Sequence, residues 1–154
     1  MDLLLWRHAE AEDGFPDSER KLTPRGEEQA RRMAAWIKAH APKDLRVVAS
    51  PAKRCQQTAQ ALGLPFDTDS RLGTGNPVAD LLAAAHWPDG DGKKNNTVLV
   101  VGHQPTLGQT AASLLSGSEV DWSIKKGAAW WLILKTRQKE TRISLRAVIG
   151  PELV

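Results

Sequence analysis

This 154-residue chain predicts an α/β fold: a three-layer sandwich with a largely parallel central sheet, helices on both faces and at least one antiparallel strand. Three observations carry that expectation. Short, wholly apolar runs at Leu3-Leu4-Leu5-Trp6, Leu45 to Ala49 and Val98 to Val101 read as strands buried on both faces. Segments of helical period alternate with them, which implies helices packed against a parallel sheet. The last two strand-like runs are separated only by Lys135 to Glu140, so they read as a hairpin and place an antiparallel member in the sheet.

Element by element, the first strand ends at Arg7-His8, and the polar, acidic stretch Ala9 to Lys21, with Gly14 and Pro16, is a loop. Thr23-Pro24 then provides an N-cap and a proline for the first helical position. Ala30, Met33, Ala34 and Ile37 follow at i, i+3, i+4, i+7, so an amphipathic helix runs on until Pro42 stops it. After the second strand, Ser50-Pro51 repeats the cap-plus-proline device and predicts a helix through Leu62, closed by Gly63. Arg54 falls in its first turn, where backbone donors and the helix dipole favour an anion. Leu64 to Thr68 reads as a short strand, and Asn76-Pro77 as the opening of a helix covering Val78, Leu81, Leu82 and Ala85. Pro88 to Asn96, with Asp89-Gly90-Asp91-Gly92, is a turn-rich connection, and Lys93 at the third ligand position argues against a calcium loop. Val98 to Val101 is followed by a helix over Pro105 to Leu115. Gly127 to Leu134 and Thr141 to Ile149 are strands, the second alternating Ile143, Leu145 and Ala147 against Arg142, Ser144 and Arg146.

Length and a 41% hydrophobic content fit one domain over residues 1–154. The single cysteine, Cys55, excludes an internal disulfide framework and a thiolate-rich zinc site, and suits a reducing compartment. No run approaches the roughly 18 apolar residues of a membrane span, so the expectation is a cytoplasmic protein with no membrane partner. A net charge of +3 favours anionic partners, yet no Lys/Arg stripe points to nucleic acid. The six Trp beside two Phe and no Tyr permit base stacking, but Trp36 lies in a helical pattern and Trp130-Trp131 in a strand pattern, as packing residues do. His40 and His86 end helical patterns, where the helix dipole suffices to explain them.

The chemistry lies at the strand ends. Ligands of open α/β sheets bind outside the carboxyl ends of the strands. There this chain places Arg7-His8, Ser50-Pro51-Ala52-Lys53-Arg54 and Gly102-His103-Gln104-Pro105. Taken singly, each histidine is more simply a strand-end residue with a satisfied hydrogen bond, and Arg54 a solvated helix residue; their joint placement after three strands suggests a shared anion site. A phosphoryl group in transfer carries charge on three equatorial oxygens. Two arginines can fork onto those oxygens as lysines cannot. A neutral imidazole can attack phosphorus and form a phosphohistidine, provided its other ring nitrogen holds the proton, and a second imidazole, if protonated, adds a donor. His8 and His103 can take these two parts.

Other phosphate machineries fail on spacing. A cysteine phosphatase needs Arg six residues after its Cys, where this chain has Ala61. Gly102 is followed by Gly108-Gln109-Thr110, one residue too far for a Walker loop and without its lysine, and Gly73-Thr74-Gly75 would need glycine where Val78 stands to bind a dinucleotide. A metal site built from His8, Glu10, Glu12 and His103 is disfavoured because two arginines would repel a bare cation. No metal and no cofactor is expected.

The segments Leu4-Leu5-Trp6-Arg7-His8-Ala9-Glu10, Arg20-Lys21-Leu22-Thr23 with Gly26, Ser50-Pro51 to Arg54 with Gln57-Thr58-Ala59, and Val101-Gly102-His103-Gln104-Pro105 together resemble the histidine phosphatase superfamily. That family is also called phosphoglycerate mutase-like, or RHG. The short chain, the Asp17 to Thr23 stretch and Gly-His-Gln-Pro look most like its SixA-type phosphohistidine phosphatase branch. The resemblance implies the phosphoglycerate mutase-like fold, His8 as nucleophile, Arg7 and Arg54 binding the phosphoryl group, and His103 completing the pocket. Arg20 is a further candidate for substrate binding. It also implies a phosphorylated protein as substrate, a histidine-phosphotransfer domain among the candidates, with a monomer as the simplest state.

Two departures matter. Ala9 stands where the family usually has glycine. No Glu occurs from Gln56 to Gly102, where mutase-like members carry a glutamate general acid; Asp80 is the first substitute to test, with Glu10 and Glu12 as rivals. Expelling an alkoxide needs a proton donor, whereas a phosphohistidine can carry its own proton on the ring, so the missing acid favours an N–P substrate. The interval Gly63 to Asn96 is too short for a large helical lid, which predicts an open pocket. The readings held against this one are a small-molecule phosphomonoesterase or mutase, and a non-catalytic phosphoprotein-binding module.

Overall fold

Leu3, Leu4, Leu5 and Trp6 are all fully buried, which requires a layer on each face of the strand that carries them. The computed structural model, which describes residues 1–92 and 96–154, supplies both. Strands β1 (Asp2–Arg7), β2 (Arg46–Ala49), β3 (Asp67–Thr68), β4 (Thr97–Gly102), β5 (Ala129–Arg137) and β6 (Glu140–Ile149) form a six-stranded sheet in the order β3-β2-β4-β1-β5-β6. The first four run parallel, β5 is antiparallel to β1, and β6 is antiparallel to β5. The helices are α1 (Pro24–His40), α2 (Lys53–Gln60), α3 (Val78–Ala84) and α4 (Thr106–Ser116).

Because successive strand side chains point to opposite faces, the apolar runs feed two cores. Leu4, Trp6, Val47, Ala49, Leu99 and Val101 pack against Met33 and Ile37 of α1 and Cys55 and Ala59 of α2. Leu3, Leu5, Val48, Val98 and Val100 pack against Leu81 and Ala84 of α3 and Leu107 and Ala111 of α4. The predicted α/β sandwich is therefore observed, with α1 and α2 on one face and α3 and α4 on the other. The Trp residues read as packing groups do pack: Trp131 is buried with its Nε1 donating to Asp2 Oδ2 at 2.8 Å, and Trp36 meets it edge-on at 6.3 Å. Among the described residues, no helix is long and apolar enough to cross a membrane.

The start of α1 follows its sequence signal: Thr23 Oγ1 accepts from Gly26 N at 2.9 Å and Pro24 opens the helix. A side chain at position 26 would run into the main-chain carbonyl of Glu10, so glycine lets α1 lie against the loop that leaves β1.

Other boundaries differ from the sequence reading for identifiable reasons. Ser50-Pro51 does not start α2, which begins at Lys53, because Ala52 has non-helical dihedrals (φ −59°, ψ 137°) and the Ser50 hydroxyl is taken by Ala52 N at 3.2 Å and by His103 Nε2 at 2.8 Å. The strand expected over Leu64 to Thr68 shrinks to Asp67–Thr68, the only pair in register with Val48 and Ala49. The alternation in β6 is broken between the partners of Trp131 and Leu132: Ala147 faces Trp131 and Leu145 faces Leu132, leaving Arg146 as a bulge residue. Ile143 therefore packs with one core and Ala147 and Ile149 with the other, while Arg146 lies over the Trp131 ring at 4.8 Å. Lys93, part of the connection read over Pro88 to Asn96, lies outside the described residues.

Candidate active site

In the sheet order β1 lies beside β4, and β4 beside β2, so the carboxyl ends of the three apolar strands meet. The chain leaving each end is sewn to its neighbour: His8 N donates to Gly102 O at 3.2 Å, and Ser50 N to Val101 O at 3.0 Å. Gly127 N donates to Arg7 O and His8 O from the loop before β5. Two residues of the Gln57-Thr58 segment fasten the β1–α1 loop to α2. Thr58 Oγ1 accepts from Ala9 N at 3.1 Å while donating to Arg54 O at 2.7 Å, and Gln57 Oε1 accepts from Leu22 N at 2.7 Å. Ala9 is fully buried and is not among the residues with positive φ, so the methyl group in place of glycine is accommodated without backbone strain.

This scaffold gathers the predicted residues. The His8 and His103 rings lie 5.3 Å apart, tilted by 58°. Arg54 bridges them, with Nε 3.4 Å from His8 Nε2 and Nη2 3.4 Å from His103 Nδ1. Arg7 donates from Nη1 to Ile124 O at 2.9 Å; its buried Nε has no partner among the described residues, leaving a donor for an anion. Its charge acts on both imidazoles.

The hydrogen bonds assign the tautomers. His8 Nδ1 lies 2.8 Å from Ala9 O, a carbonyl that can only accept, so Nδ1 carries the proton and Nε2 presents its lone pair toward Arg54. His103 Nδ1 accepts from Arg54, so Nε2 carries the proton and donates to Ser50 Oγ.

Burial, then the neighbouring charges, pushes His8 down to about 3 and His103 down to about 4. Both imidazoles are therefore neutral near pH 7. For His103 this differs from the donor role considered above, which requires its protonated form; a phosphate dianion beside it would favour that form. Burial also raises the Cys55 thiol to about 12, so it stays protonated 3.5 Å from His103 Nε2.

A pH effect on stability follows. Between about pH 4 and 6.5 the unfolded chain protonates both histidines and the folded one does not, so stability falls as pH drops through that window. The loss expected is on the order of 2 kcal/mol for each histidine by pH 5, from about 1.4 kcal/mol per unit. Urea unfolding of wild type and His103→Gln at pH 7 and pH 5 checks it: the variant should lose visibly less on acidification, and an equal loss would refute it.

The remaining sequence candidates are held elsewhere. Glu10 Oε2 accepts from Thr23 Oγ1 at 2.7 Å, and the charge of Asp80 acts on Arg71. Neither hydrogen-bonds to an imidazole among the described residues. Arg20 reaches the site indirectly, donating from Nη1 to Asp17 Oδ1 at 3.1 Å and from Nε to Glu12 O at 2.8 Å.

Asp17 is the residue that sequence reasoning did not single out. Its Oδ2 lies 3.0 Å from Arg54 Nη2 and its main-chain oxygen accepts from Arg54 Nη1 at 2.9 Å. The 17–19 turn thus lies over Arg54, and Arg54, His8 and His103 are only 3%, 6% and 4% exposed. No helical lid is present among the described residues, since α3 and the 70–72 turn pack into the core, but the floor of the site is more covered than the short interval suggested. A separate hollow of about 370 Å³ opens near Met1, Arg46 and Thr97 at the amino ends of the strands, opposite the site, and none of the four gathered residues lines it.

Residues 3–73 match the histidine phosphatase superfamily (branch 1). The chain is 32% identical over 123 residues to the phosphohistidine phosphatase SixA of Escherichia coli, covering 76% of each. It is also 32% identical over 125 residues to an uncharacterized protein of Mycobacterium tuberculosis, covering 77% of this chain and 75% of that one. The structure of the protein histidine phosphatase SixA complexed with tungstate superposes with a TM-score of 0.83 at 26% identity, over 99% of both chains. Two imidazoles and two guanidinium groups at adjoining strand ends, on a fold shared end to end with SixA, make this chain a member of the histidine phosphatase superfamily and a SixA-like hydrolase.

Proposed function

We propose that the protein is a metal-independent phosphohistidine phosphatase that takes the phosphoryl group of a phosphorylated protein onto His8 and releases it to water. In this reading His8 Nε2 attacks phosphorus, Arg7 and Arg54 neutralise the equatorial oxygens, and His103 completes the pocket. The observation that carries it is the state of His8: a neutral ring, its proton fixed on Nδ1 by Ala9 O, with the Nε2 lone pair directed at a guanidinium. An in-line nucleophile needs that lone pair, and phosphoryl binding at Arg54 brings phosphorus to it.

Three further features support an N–P bond in a protein as substrate. Glu10 is bonded to Thr23, and no glutamate lies between Gln56 and Gly102, so an ester would lack an evident acid for its alkoxide. Phe15, two residues before Asp17 in the chain, is 97% exposed and leaves an apolar side chain open to a protein partner. The similarity to SixA, studied with the oxyanion tungstate, points the same way. Metal independence rests on Arg7 and Arg54, whose charges oppose a cation at the imidazoles.

The test compares kcat/KM for a phosphorylated histidine-phosphotransfer domain with that for p-nitrophenyl phosphate and sugar phosphates, each with and without EDTA. The phosphohistidine protein should lead by at least about 100-fold, the range a missing general acid costs an ester, and EDTA should change nothing. Faster turnover of the esters would favour the small-molecule phosphomonoesterase reading; binding of the phosphoprotein with no turnover would favour a non-catalytic module.

A further inference from the structure

Asp17 presents a problem that the phosphoryl chemistry does not answer. Arginines and imidazoles suit a group carrying negative charge, yet a carboxylate is bonded to the guanidinium that would hold it. Its Oδ2 is on Arg54 Nη2 at 3.0 Å and its Oδ1 on Arg20 Nη1 at 3.1 Å. It is also the solvent-facing end of a chain of contacts that leads through Arg54 to His8 Nε2, with its side chain 55% exposed where Arg54 is 4%. Asp17 is thus an accessible carboxylate bonded to the buried guanidinium, within reach of a group that follows the phosphoryl moiety in from solvent.

The charged and titratable groups facing Asp17 are Arg54 from α2, Arg20 from its own segment and, at longer range, His103 after β4. The Arg54 hydrogen bond, followed by the charges of Arg54 and Arg20, holds the Asp17 carboxyl below its usual value. At neutral pH it is ionised and accepts hydrogen bonds, so it does not serve as a proton donor to an alkoxide.

Resting on the phosphohistidine reading above, we infer that Asp17 accepts a hydrogen bond from the protonated imidazole of the substrate and so favours N–P over O–P bonds. The substrate ring carries phosphorus on one nitrogen and a proton on the other, and is cationic. His8 Nε2 forms its bond to phosphorus while the substrate P–N bond breaks, its electron pair returning to the ring nitrogen. The proton already on the other nitrogen stays there, and neutral imidazole departs. Without that proton, imidazolate would have to leave. A carboxylate beside the ring N–H stabilises the protonated substrate and extends its reaction to higher pH. The same negative charge works against an alkoxide or phenolate leaving group.

A purely structural role, holding Arg54 in place, predicts something different: loss of Asp17 would slow every phosphoryl donor alike. Single-turnover phosphoryl transfer at saturating enzyme, measured across pH for wild type, Asp17→Asn and Asp17→Glu, separates the two. The donors are a phosphorylated histidine-phosphotransfer domain and p-nitrophenyl phosphate. For Asp17→Asn the ratio of phosphohistidine rate to ester rate should fall about 10- to 100-fold, the span of a charge-assisted hydrogen bond. The alkaline limb of the phosphohistidine profile should move about one pH unit toward acid, and Asp17→Glu should restore it. An unchanged ratio and an unmoved limb would overturn the inference while leaving the phosphohistidine reading intact. If wild type fails to turn over the phosphohistidine protein, that reading falls and takes the inference with it. Circular dichroism of each variant confirms that the rates come from folded protein.

Discussion

Replacing His8 with Asn is expected to lower single-turnover phosphoryl transfer by at least about 10³- to 10⁴-fold, a barrier increase of about 4 to 5.5 kcal/mol. Asparagine can keep a polar contact near Ala9 O and fits a site only 6% exposed, so the chain should fold. What it lacks is an aromatic nitrogen with an in-plane lone pair facing Arg54. Residual rate from binding and charge stabilisation alone should survive, as it does when one member of a catalytic set is deleted. Circular dichroism and a thermal melt establish the fold. A variant that retains more than about a tenth of the rate would remove His8 from the chemistry.

Arg54→Lys should cost about 10²- to 10³-fold in kcat/KM, although the formal charge is kept. The guanidinium makes four kinds of contact at once: to His8 Nε2, to His103 Nδ1, to the Asp17 carboxylate and to the Asp17 main chain. An ammonium has three donors on one nitrogen and no planar fork, so it cannot hold both imidazoles while presenting paired donors to phosphoryl oxygens. The loss should appear in kcat as well as KM, because oxygens that gain charge in transfer are held more tightly in the transition state than in the ground state. A Lys variant within about threefold of wild type would show that charge alone suffices.

The parts of this molecule that were legible in the sequence are those set by local chemistry. Apolar strands buried on both faces leave continuous runs, and Thr23-Pro24 declares the start of α1 through a cap that the structure contains. The four gathered site residues were legible because each lies at or just after a strand end, and a parallel sheet brings the carboxyl ends of its strands together. What was hidden depends on partners far along the chain. Ser50 looks like a helix cap until His103, 53 residues later, takes its hydroxyl. The alternation of β6 is genuine, but one bulge at Arg146 moves its two halves to opposite cores. Asp17 gave no periodic or spacing signal as an Arg54 ligand, since the pair is 37 residues apart and joined by the folding of a loop. The run Asp17-Ser18-Glu19-Arg20 did offer one clue: an acid and a base three positions apart in a short turn of the same loop that leaves His8.

The proposed reaction requires that a phosphoryl group reside for a time on His8 Nε2. The most direct measurement mixes the protein with a ³²P-labelled phosphohistidine donor, quenches at short times in alkali, and maps the labelled peptide. The expected result is one label per chain at most, on the peptide containing His8, stable in alkali, lost in acid, and absent from His8→Asn. Turnover without any protein-bound label, or label that persists in the His8→Asn protein, would contradict it.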